Sequence, residues 1–342
     1  MRVLGRLLAV VLCGLALGCA AAQEGDAVTP APTHLLVVDK SAGQLVGIEL
    51  ASGAVAWRVD VGAGPHEVLA VTGAASPTGG PLALVSRYGT RGSPGSAVVV
   101  VDLEALAVTG ELSTRPATMP HGLALVPGTS TVLVTVEADD ALLALDLADG
   151  STTAYGTGQR LPHMVVAAPD ASAAFAANIL GGSVTRLALP DGEVTTARVG
   201  AGAEGIAMTP GGEELWVGSN EEHEVHVLDP HDLAQLDVFP TCAVPIRVTP
   251  VDSATMAVTC FRGDEVRLYD AVSHEQKGSL ALPAASFPVG TIATPDGARL
   301  FVAATASGVV YEFDVASLSL LRTLDAGVEP DGMALVALPG SR

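Results

Sequence analysis

The chain has 342 residues, of which 37 are acidic and 17 are lysine or arginine, giving a formal net charge of −20 at pH 7. Nucleic acids and anionic membranes are bound by clustered cations, so this balance argues against both as partners. Hydrophobic residues make up 49% of the chain but aromatic residues only 4%, which predicts a core of valine, alanine and leucine.

The N-terminal segment 1–22 has the pattern of a secretory signal peptide. Arg2 and Arg6 precede an apolar run over residues 7–17, and Ala20-Ala-Ala22 offers small residues for cleavage. The apolar run is too short to cross a bilayer. We therefore expect an exported protein, periplasmic or extracellular, with no transmembrane span.

Two of the four cysteines fall inside the signal segment, and Cys19 lies where lipoprotein processing would attach a lipid. A lipid anchor through Cys19 is the alternative to simple cleavage. Cys242 and Cys260 remain in the mature chain, where oxidising conditions outside the cytoplasm favour a disulfide between them. The pair is centred on residue 251, the turn of a predicted hairpin, so antiparallel strands would bring the two side chains together.

After a Pro- and Ala-rich tether over residues 23–33, the chain repeats a pattern of short strands across residues 34–338. The clearest copy, residues 202–229, has a strand, a Pro-Gly turn, a second strand, a polar loop and a third strand. The six complete copies begin at Pro65, Pro120, Pro162, Ala203, Ala243 and Pro288. A repeat near 40 residues that contains only strands is typical of β-propellers.

Three strands precede the first complete copy, and one strand, residues 332–337, is left over at the end. Together they make one further blade, so the sequence predicts an all-β, seven-bladed propeller of four-stranded antiparallel blades. Pairing of the two terminal segments would close the ring and remove its exposed edges. We expect a monomer. Third strands end in aspartates that should hydrogen-bond the following turn: Asp102, Asp146, Asp229, Asp270 and Asp314.

The segments Leu215-Trp-Val-Gly-Ser-Asn220 and Leu300-Phe-Val-Ala-Ala-Thr305, each followed by a third strand ending in aspartate, resemble YVTN-type β-propeller repeats, as in YncE-like extracytoplasmic proteins. The resemblance covers roughly residues 34–338, although the tetrapeptide that names the family is present only in degenerate form. That family is functionally mixed. The resemblance implies a seven-bladed ring outside the cytoplasm and no particular activity.

Two apparent motifs carry no function in this context. Gly200-Ala-Gly-Ala-Glu-Gly205 matches a dinucleotide fingerprint, but a short strand follows it where that fingerprint needs a helix. His223 and His226 are three apart on a strand and so face opposite sides, which prevents both from binding one metal. They are expected to be surface histidines, as are His34, His231 and His274.

One position of the repeat should surround the mouth of the central channel. It is the residue that follows the leading residue of each copy: His66, His121, His163, Glu204, Val244, Val289 and Asp331. Its polar members form one unbroken arc of the ring, and the two valines fill the gap. Loops after the second strands should line the same face, with the residues Lys40, Arg87, Glu137, Asn178, Asn220 and Arg262.

Three imidazoles near carboxylates are a suitable donor set for a divalent metal, while the alternative is a solvated channel lining. The leading hypothesis is an exported binding or interaction module whose ligand, a small molecule or an envelope protein, lies at the polar mouth. A second is a metal-assisted, lactonase-like hydrolase or lyase that uses His66, His121 and His163. A third is a structural envelope protein, so the sequence leaves open whether the protein is an enzyme.

Overall fold

A computed structural model describes residues 30–339. These residues form 28 β-strands in seven four-stranded sheets, with two 3₁₀ helices at Gly73–Ala75 and Glu137–Asp139. The predicted seven-bladed propeller is confirmed. The signal segment 1–22, Cys19 and most of the tether lie outside the described residues. Within residues 30–339, no helix has the length and apolar character of a membrane span.

The blades are numbered I to VII around the ring, and the strands of each are given from the channel outwards. Blade I contains β28 (Pro330–Val336), β1 (His34–Asp39), β2 (Gln44–Glu49) and β3 (Val55–Asp60). Blade II contains β4 (Pro65–Val71), β5 (Leu82–Thr90), β6 (Ser93–Asp102) and β7 (Ala107–Ser113). Blade III contains β8 (Pro120–Leu125), β9 (Thr131–Val136), β10 (Ala141–Asp146) and β11 (Thr152–Gly156). Blade IV contains β12 (Pro162–Ala167), β13 (Ala173–Asn178), β14 (Ser183–Ala188) and β15 (Val194–Arg198).

The remaining three blades have the same order. Blade V contains β16 (Ala203–Met208), β17 (Leu215–Ser219), β18 (Glu224–Leu228) and β19 (Gln235–Pro240). Blade VI contains β20 (Pro245–Asp252), β21 (Thr255–Cys260), β22 (Glu265–Asp270) and β23 (Gln276–Ala281). Blade VII contains β24 (Pro288–Ala293), β25 (Arg299–Ala304), β26 (Val309–Asp314) and β27 (Ser319–Asp325).

The ring closes through blade I, as the leftover strands predict. The C-terminal strand β28 pairs antiparallel with β1, with Leu35 opposite Leu335 and Val37 opposite Met333. The innermost strands contact one another in ring order, and β28 contacts both β24 and β4. The inner edge of β1 is therefore paired, and blade I has four strands like the other six blades.

The core consists of seven clusters of buried side chains, and each cluster lies between two adjacent blades. Valine, alanine and leucine supply most of it, and the largest buried rings are Trp216, Phe175, Phe301 and Phe313. Side chains alternate along each strand, so every blade presents an apolar face to both neighbours.

The aspartates that end third strands act as predicted. Asp146 Oδ1 accepts the backbone N–H of Ala148 at 2.7 Å, and Asp270 Oδ1 accepts that of Ser273 at 2.9 Å. Asp102, Asp229 and Asp314 make the equivalent bonds. Part of the large acidic excess is thus structural.

A β-bulge follows the leading residue of every blade. Pro65 pairs with Arg87 but Val68 pairs with Val85, and similar register shifts occur in the other six blades. A bulge re-aims the side chain of the extra residue. This is the physical reason that one repeat position points into the channel in each blade.

Blade VI begins two residues later than predicted. Pro245 pairs with Cys260 just as Pro162 pairs with Asn178, so Pro245, and not Ala243, is the leading residue. The bulged residue is therefore Ile246, and the assignment of Val244 to this position is wrong. Val244 lies in the link before β20.

Cys242 and Cys260 form a disulfide, with their Cα atoms 5.6 Å apart and both side chains buried. The two cysteines were predicted to face each other across a hairpin centred on residue 251. This geometry is wrong, because Cys242 precedes β20 and the ladder partner of Cys260 is Pro245. The bridge instead ties the link between blades V and VI to the end of β21.

Candidate functional site

The five polar side chains of the predicted arc form a continuous chain of contacts at the channel mouth. Asp331 Oδ2 is 3.3 Å from His66 Nδ1, and His66 Nδ1 is 3.1 Å from His121 Nε2. The rings of His121 and His163 lie 3.8 Å apart, and His163 Nε2 is 3.4 Å from Glu204 Oε1. The fold thus brings together residues that are up to 265 positions apart (331 − 66).

His163 lies between two carboxylates. Its Nδ1 is 2.5 Å from Glu137 Oε1, on the side opposite Glu204. Burial by itself lowers the pKa of a histidine, but the hydrogen bonds to Glu137 and Glu204 outweigh burial and raise the pKa of His163 to about 9. At pH 7, His163 is a cation with a proton on each ring nitrogen.

The other two histidines of the arc are neutral. Burial lowers the pKa of His66, although Asp331 partly opposes this. Burial, reinforced by the positive charge of His163, holds the pKa of His121 well below its usual range. His121 is 4% exposed, and its Nδ1 has no hydrogen-bond partner among the described residues.

A salt bridge that the sequence analysis missed crosses the channel below the arc. Arg247 of blade VI donates from Nη2 to Glu67 Oε1 of blade II at 2.7 Å, and both side chains are largely buried. Burial raises the pKa of Glu67, while Arg247 opposes that rise. The pair occupies the position after the arc residue, which is glycine in four other blades: Gly122, Gly205, Gly290 and Gly332.

These glycines are required by close packing between inner strands. A Cβ at Gly290 would lie 2.2 Å from the Asp331 carbonyl oxygen, and a Cβ at Gly332 would lie 2.5 Å from the His66 carbonyl oxygen. Charged residues at a position that is otherwise mostly glycine are a usable sequence signal. This signal was missed because blade VI was predicted to begin at Ala243, which put Arg247 at a different position of the repeat.

The arc residues line a cavity of about 290 Å³ at the mouth. Lys40, Asn220 and Arg247 add to its polar side, and the opposite wall is apolar, formed by Val244, Ile246, Phe261 and Val289. Lys40 and His66 also line an adjoining, more open cavity of about 800 Å³ under the long β5–β6 hairpin. One face of the ring therefore offers two connected concave surfaces.

Only half of the predicted loop residues belong to this site. Lys40 bonds Glu329 and Asp331, Glu137 bonds His163, and Asn220 donates to Glu204. Arg87 instead forms a bidentate ion pair with Glu111 on the outermost strand of its blade.

Asn178 is fully buried within blade IV, where it donates to Ser183 and Thr185, and Arg262 is exposed. Arg87 and Asn178 are one residue before the lining position and Arg262 is one residue after it. Successive side chains on a strand point in opposite directions, so the offset turns Arg87 and Asn178 away, whereas Arg262 lies in the turn after β21. Phe261 lines the mouth, and Tyr88 lines the adjoining cavity and donates from its hydroxyl to Glu137 Oε2 at 2.5 Å.

Donor atoms that could hold a metal converge beside the cavity, but the set differs from the predicted one. One atom each of His121, Glu137 and His163 lie within 4.8 Å of one another. The converging set contains Glu137, and it does not contain His66, which was predicted as the third ligand.

His274 is not the surface residue that was expected. It stacks on Phe239 and bonds Asp237 and Glu214 through its two ring nitrogens, at 2.7 and 3.1 Å. These bonds outweigh the effect of burial and raise the pKa of His274. His274 therefore joins blade VI to blade V, through contacts that involve none of the arc residues.

The ion pairs of His163 should make the stability of the protein fall as pH rises. The pKa of His163 increases from 6.5 to about 9 on folding, so the stabilisation is complete below 6.5 and is lost as pH rises through about 9. The difference corresponds to about 3 kcal/mol. We expect urea denaturation, with a chelator present, to show this loss in the wild type and a much smaller one in His163→Gln. His231→Gln, at an exposed histidine, is the control, and equal pH profiles for all three proteins would contradict the ion pairs.

No protein-family model matches the sequence, and no curated protein matches it. Several solved structures share its fold. A functionally unknown protein from Desulfotomaculum acetoxidans gives a TM-score of 0.72 at 12% identity, covering 89% of this chain and 99% of that one. Kuenenia stuttgartiensis hydrazine synthase gives 0.68 at 16% identity, covering 86% and 99%. A streptogramin B lyase gives 0.67 at 12% identity, covering 89% and 92%.

At such identities the likeness shows the fold alone, and the hydrazine synthase and the lyase have different activities. The resemblance to YVTN-type repeats stays a prediction. The chain is a seven-bladed β-propeller, and its function has to be argued from its own residues.

Proposed function

We propose that this protein is an extracytoplasmic binding module that holds a small, polar organic molecule at the mouth of its channel. The observation that carries this proposal is the cavity of about 290 Å³, in which the arc faces an apolar wall of four side chains. Small-molecule sites are typically concave, largely apolar and equipped with a few placed polar groups, at volumes from about 300 Å³ upwards.

The charges around the cavity favour a neutral or zwitterionic ligand. The cations Lys40, His163 and Arg247 alternate with Glu204 and Asp331, so neither sign dominates the lining. A phosphate ester or other dianion would meet carboxylates as well as cations. A ligand with one donor and one acceptor group suits this pattern better.

Unpaired polar atoms on the lining residues support the same reading. Within the part of the chain that the structure describes, His121 Nδ1, Asn220 Oδ1 and Arg247 Nε are buried without a hydrogen-bond partner. Arg247 Nε carries a hydrogen and needs an acceptor, whereas Asn220 Oδ1 needs a donor. A buried polar group without a partner costs about 1–3 kcal/mol, which a ligand that pairs with it would recover.

The extracytoplasmic location is part of the proposal and has two supports. The signal-like N-terminal segment is one, and the Cys242–Cys260 disulfide is the other, since such bonds persist mainly in oxidising compartments.

The ligand site is tested by filling the cavity. Val289→Trp places a large ring on the apolar wall, and Val272→Trp, at a side chain that is 81% exposed in the turn between β22 and β23, is its matched control. Ligand-observed NMR with a library of amides, amino acids and hydroxy acids should find binders of the wild type and of the control. We expect their affinity to fall by about tenfold or more in Val289→Trp. Binders that are unaffected by Val289→Trp would overturn the proposal.

A metal-assisted hydrolase or lyase is a second candidate, favoured by the convergence of His121, Glu137 and His163. A metal held there would polarise a carbonyl group or activate water. His163 fits such a site only after losing a proton, because both of its nitrogens are bonded to carboxylates. Elemental analysis of protein purified without chelators tests this candidate. Stoichiometric metal that is lost in His163→Gln would support it, and metal-free protein would count against it.

A further inference from the structure

A second group of metal-binding side chains lies on blade V, outside the channel. Glu224 and His226 are two residues apart on β18 and therefore share one face, and Glu222 lies in the turn just before the strand. One donor atom from each of the three lies within 4.8 Å of the others. From the sequence, His223 and His226 were not expected to bind one metal, because they are three residues apart. Glu222, Glu224 and His226 are spaced two apart, and their donor atoms converge.

His226 is the buried member of the group. It is 8% exposed, and its Nδ1 is 3.2 Å from Gln235 Oε1. An amide oxygen only accepts, so in the neutral imidazole Nδ1 carries the hydrogen and Nε2 keeps the lone pair that a metal would use. Nε2 is buried and has no hydrogen-bond partner in residues 30–339.

That lone pair faces two carboxylates. His226 Nε2 is 3.8 Å from Glu224 Oε2 and 3.9 Å from Glu222 Oε2, which is beyond hydrogen-bond range. With the neutral ring, three electron-rich atoms thus lie around a common space. A cation between them would turn mutual repulsion into three favourable contacts.

The surrounding backbone holds the Glu222 carboxylate in place. Its Oε1 accepts the N–H of Ala201 at 3.3 Å, and its Oε2 lies 3.2 Å from the Ser219 hydroxyl, whose hydrogen is shared with the Ala201 carbonyl oxygen at 2.8 Å. Gly200, at a φ of +95°, leaves room for this carboxylate, because a Cβ there would lie 1.8 Å from Oε2. The first glycine of the rejected dinucleotide motif therefore serves this cluster.

We propose that Glu222, Glu224 and His226 bind a divalent transition-metal cation such as Zn²⁺ or Co²⁺. One neutral imidazole and two carboxylates supply a mixed nitrogen and oxygen donor set, which these metals accept and which balances a charge of +2. Metal–ligand bonds of about 2.0–2.2 Å require donors slightly closer than those observed. The two glutamates are partly exposed, at 45% and 38%, so they can rotate inwards and leave the remaining positions to water.

The site is tested by metal titration of chelator-stripped protein. Calorimetry with Zn²⁺ and the visible absorption of bound Co²⁺ should both report a site with one equivalent. We expect the double variant Glu222→Gln, Glu224→Gln to lose that equivalent, or to bind it at least about a hundredfold more weakly. Both side chains are partly exposed and glutamine keeps a similar shape, so the fold should be retained, and circular dichroism checks this.

Two further variants locate the metal. His223→Gln, at the exposed neighbouring histidine, should bind as the wild type does, and His163→Gln separates this site from the channel mouth. Binding that survives the double glutamate substitution, or that disappears in His163→Gln alone, would overturn the proposal. Absence of any bound equivalent in the wild type would also overturn it.

Discussion

Deleting residues 330–342 is expected to abolish the soluble, cooperatively folded propeller. The deletion removes β28, which carries the buried side chains Met333, Ala334 and Val336, and it uncovers the inner edge of β1. Full burial of a side chain such as Met333 or Val336 contributes about 1.5–3 kcal/mol. The loss of both, together with the pairing of β28 with β1, is a large part of a net stability of about 5–15 kcal/mol.

The exposed β1 would also promote aggregation, because an unpaired strand edge with apolar neighbours recruits other chains. A chain that ends at Pro339 is the matched control. Size-exclusion chromatography and thermal unfolding compare the two. A soluble monomer of the deletion variant with an unchanged melting temperature would contradict ring closure through blade I.

Arg247→Met is expected to destabilise the folded protein by about 3–5 kcal/mol at neutral pH. The substitution leaves the Glu67 carboxylate buried without the guanidinium 2.7 Å away, and an unpaired buried charge is costly. The effect should shrink at acidic pH. The pKa of Glu67 is already raised by burial and rises further without Arg247, so its neutral form is favoured below that pKa and its charged form is penalised above it.

A double-mutant cycle isolates this pair. Arg247→Met combined with Glu67→Leu removes both charges, and we expect the double variant to recover most of the lost free energy of unfolding. Equal destabilisation of the single and the double variant would show that Arg247 acts through packing alone. An absence of pH dependence in the single variant would be inconsistent with a buried Glu67 carboxylate.

The architecture could be predicted because most copies of the repeat begin with a proline. Pro65, Pro120, Pro162 and Pro288 begin four innermost strands at the predicted residues, and Pro330 begins the leftover strand two residues before its predicted start. Proline fixes φ and lacks an N–H, so it marks a strand start that composition alone would blur. The leftover strands then determined where the ring closes.

The mouth could be predicted only in part, because errors of one or two residues matter at a channel. The arc from Asp331 to Glu204 could be predicted because each of its residues directly follows the leading residue of a copy. Arg87, Asn178 and Arg262 were wrong by one position each, and for Arg87 and Asn178, which lie on strands, a single step reverses the side chain. In blade VI the misplaced start, Ala243 for Pro245, concealed both Ile246 and Arg247.

Contacts between side chains of different blades could not be predicted from the sequence pattern. Glu67 and Arg247 are separated by 180 residues, and nothing in local periodicity pairs them. The bonds of His163 with Glu137 and Glu204 likewise join three blades. They decide its charge, because the pKa of about 9 makes His163 a cation at pH 7.

Ligand binding at the channel mouth can be tested by NMR of protein labelled with ¹⁵N in its eight histidines. At pH 7 we expect an imidazolium signal for His163 and neutral signals for His66 and His121, assigned with single substitutions. Addition of a binder from the NMR screen should shift these three signals and leave those of His231 and His274 in place. A binder that shifts His231 or His274 while the three mouth signals stay unchanged would contradict it.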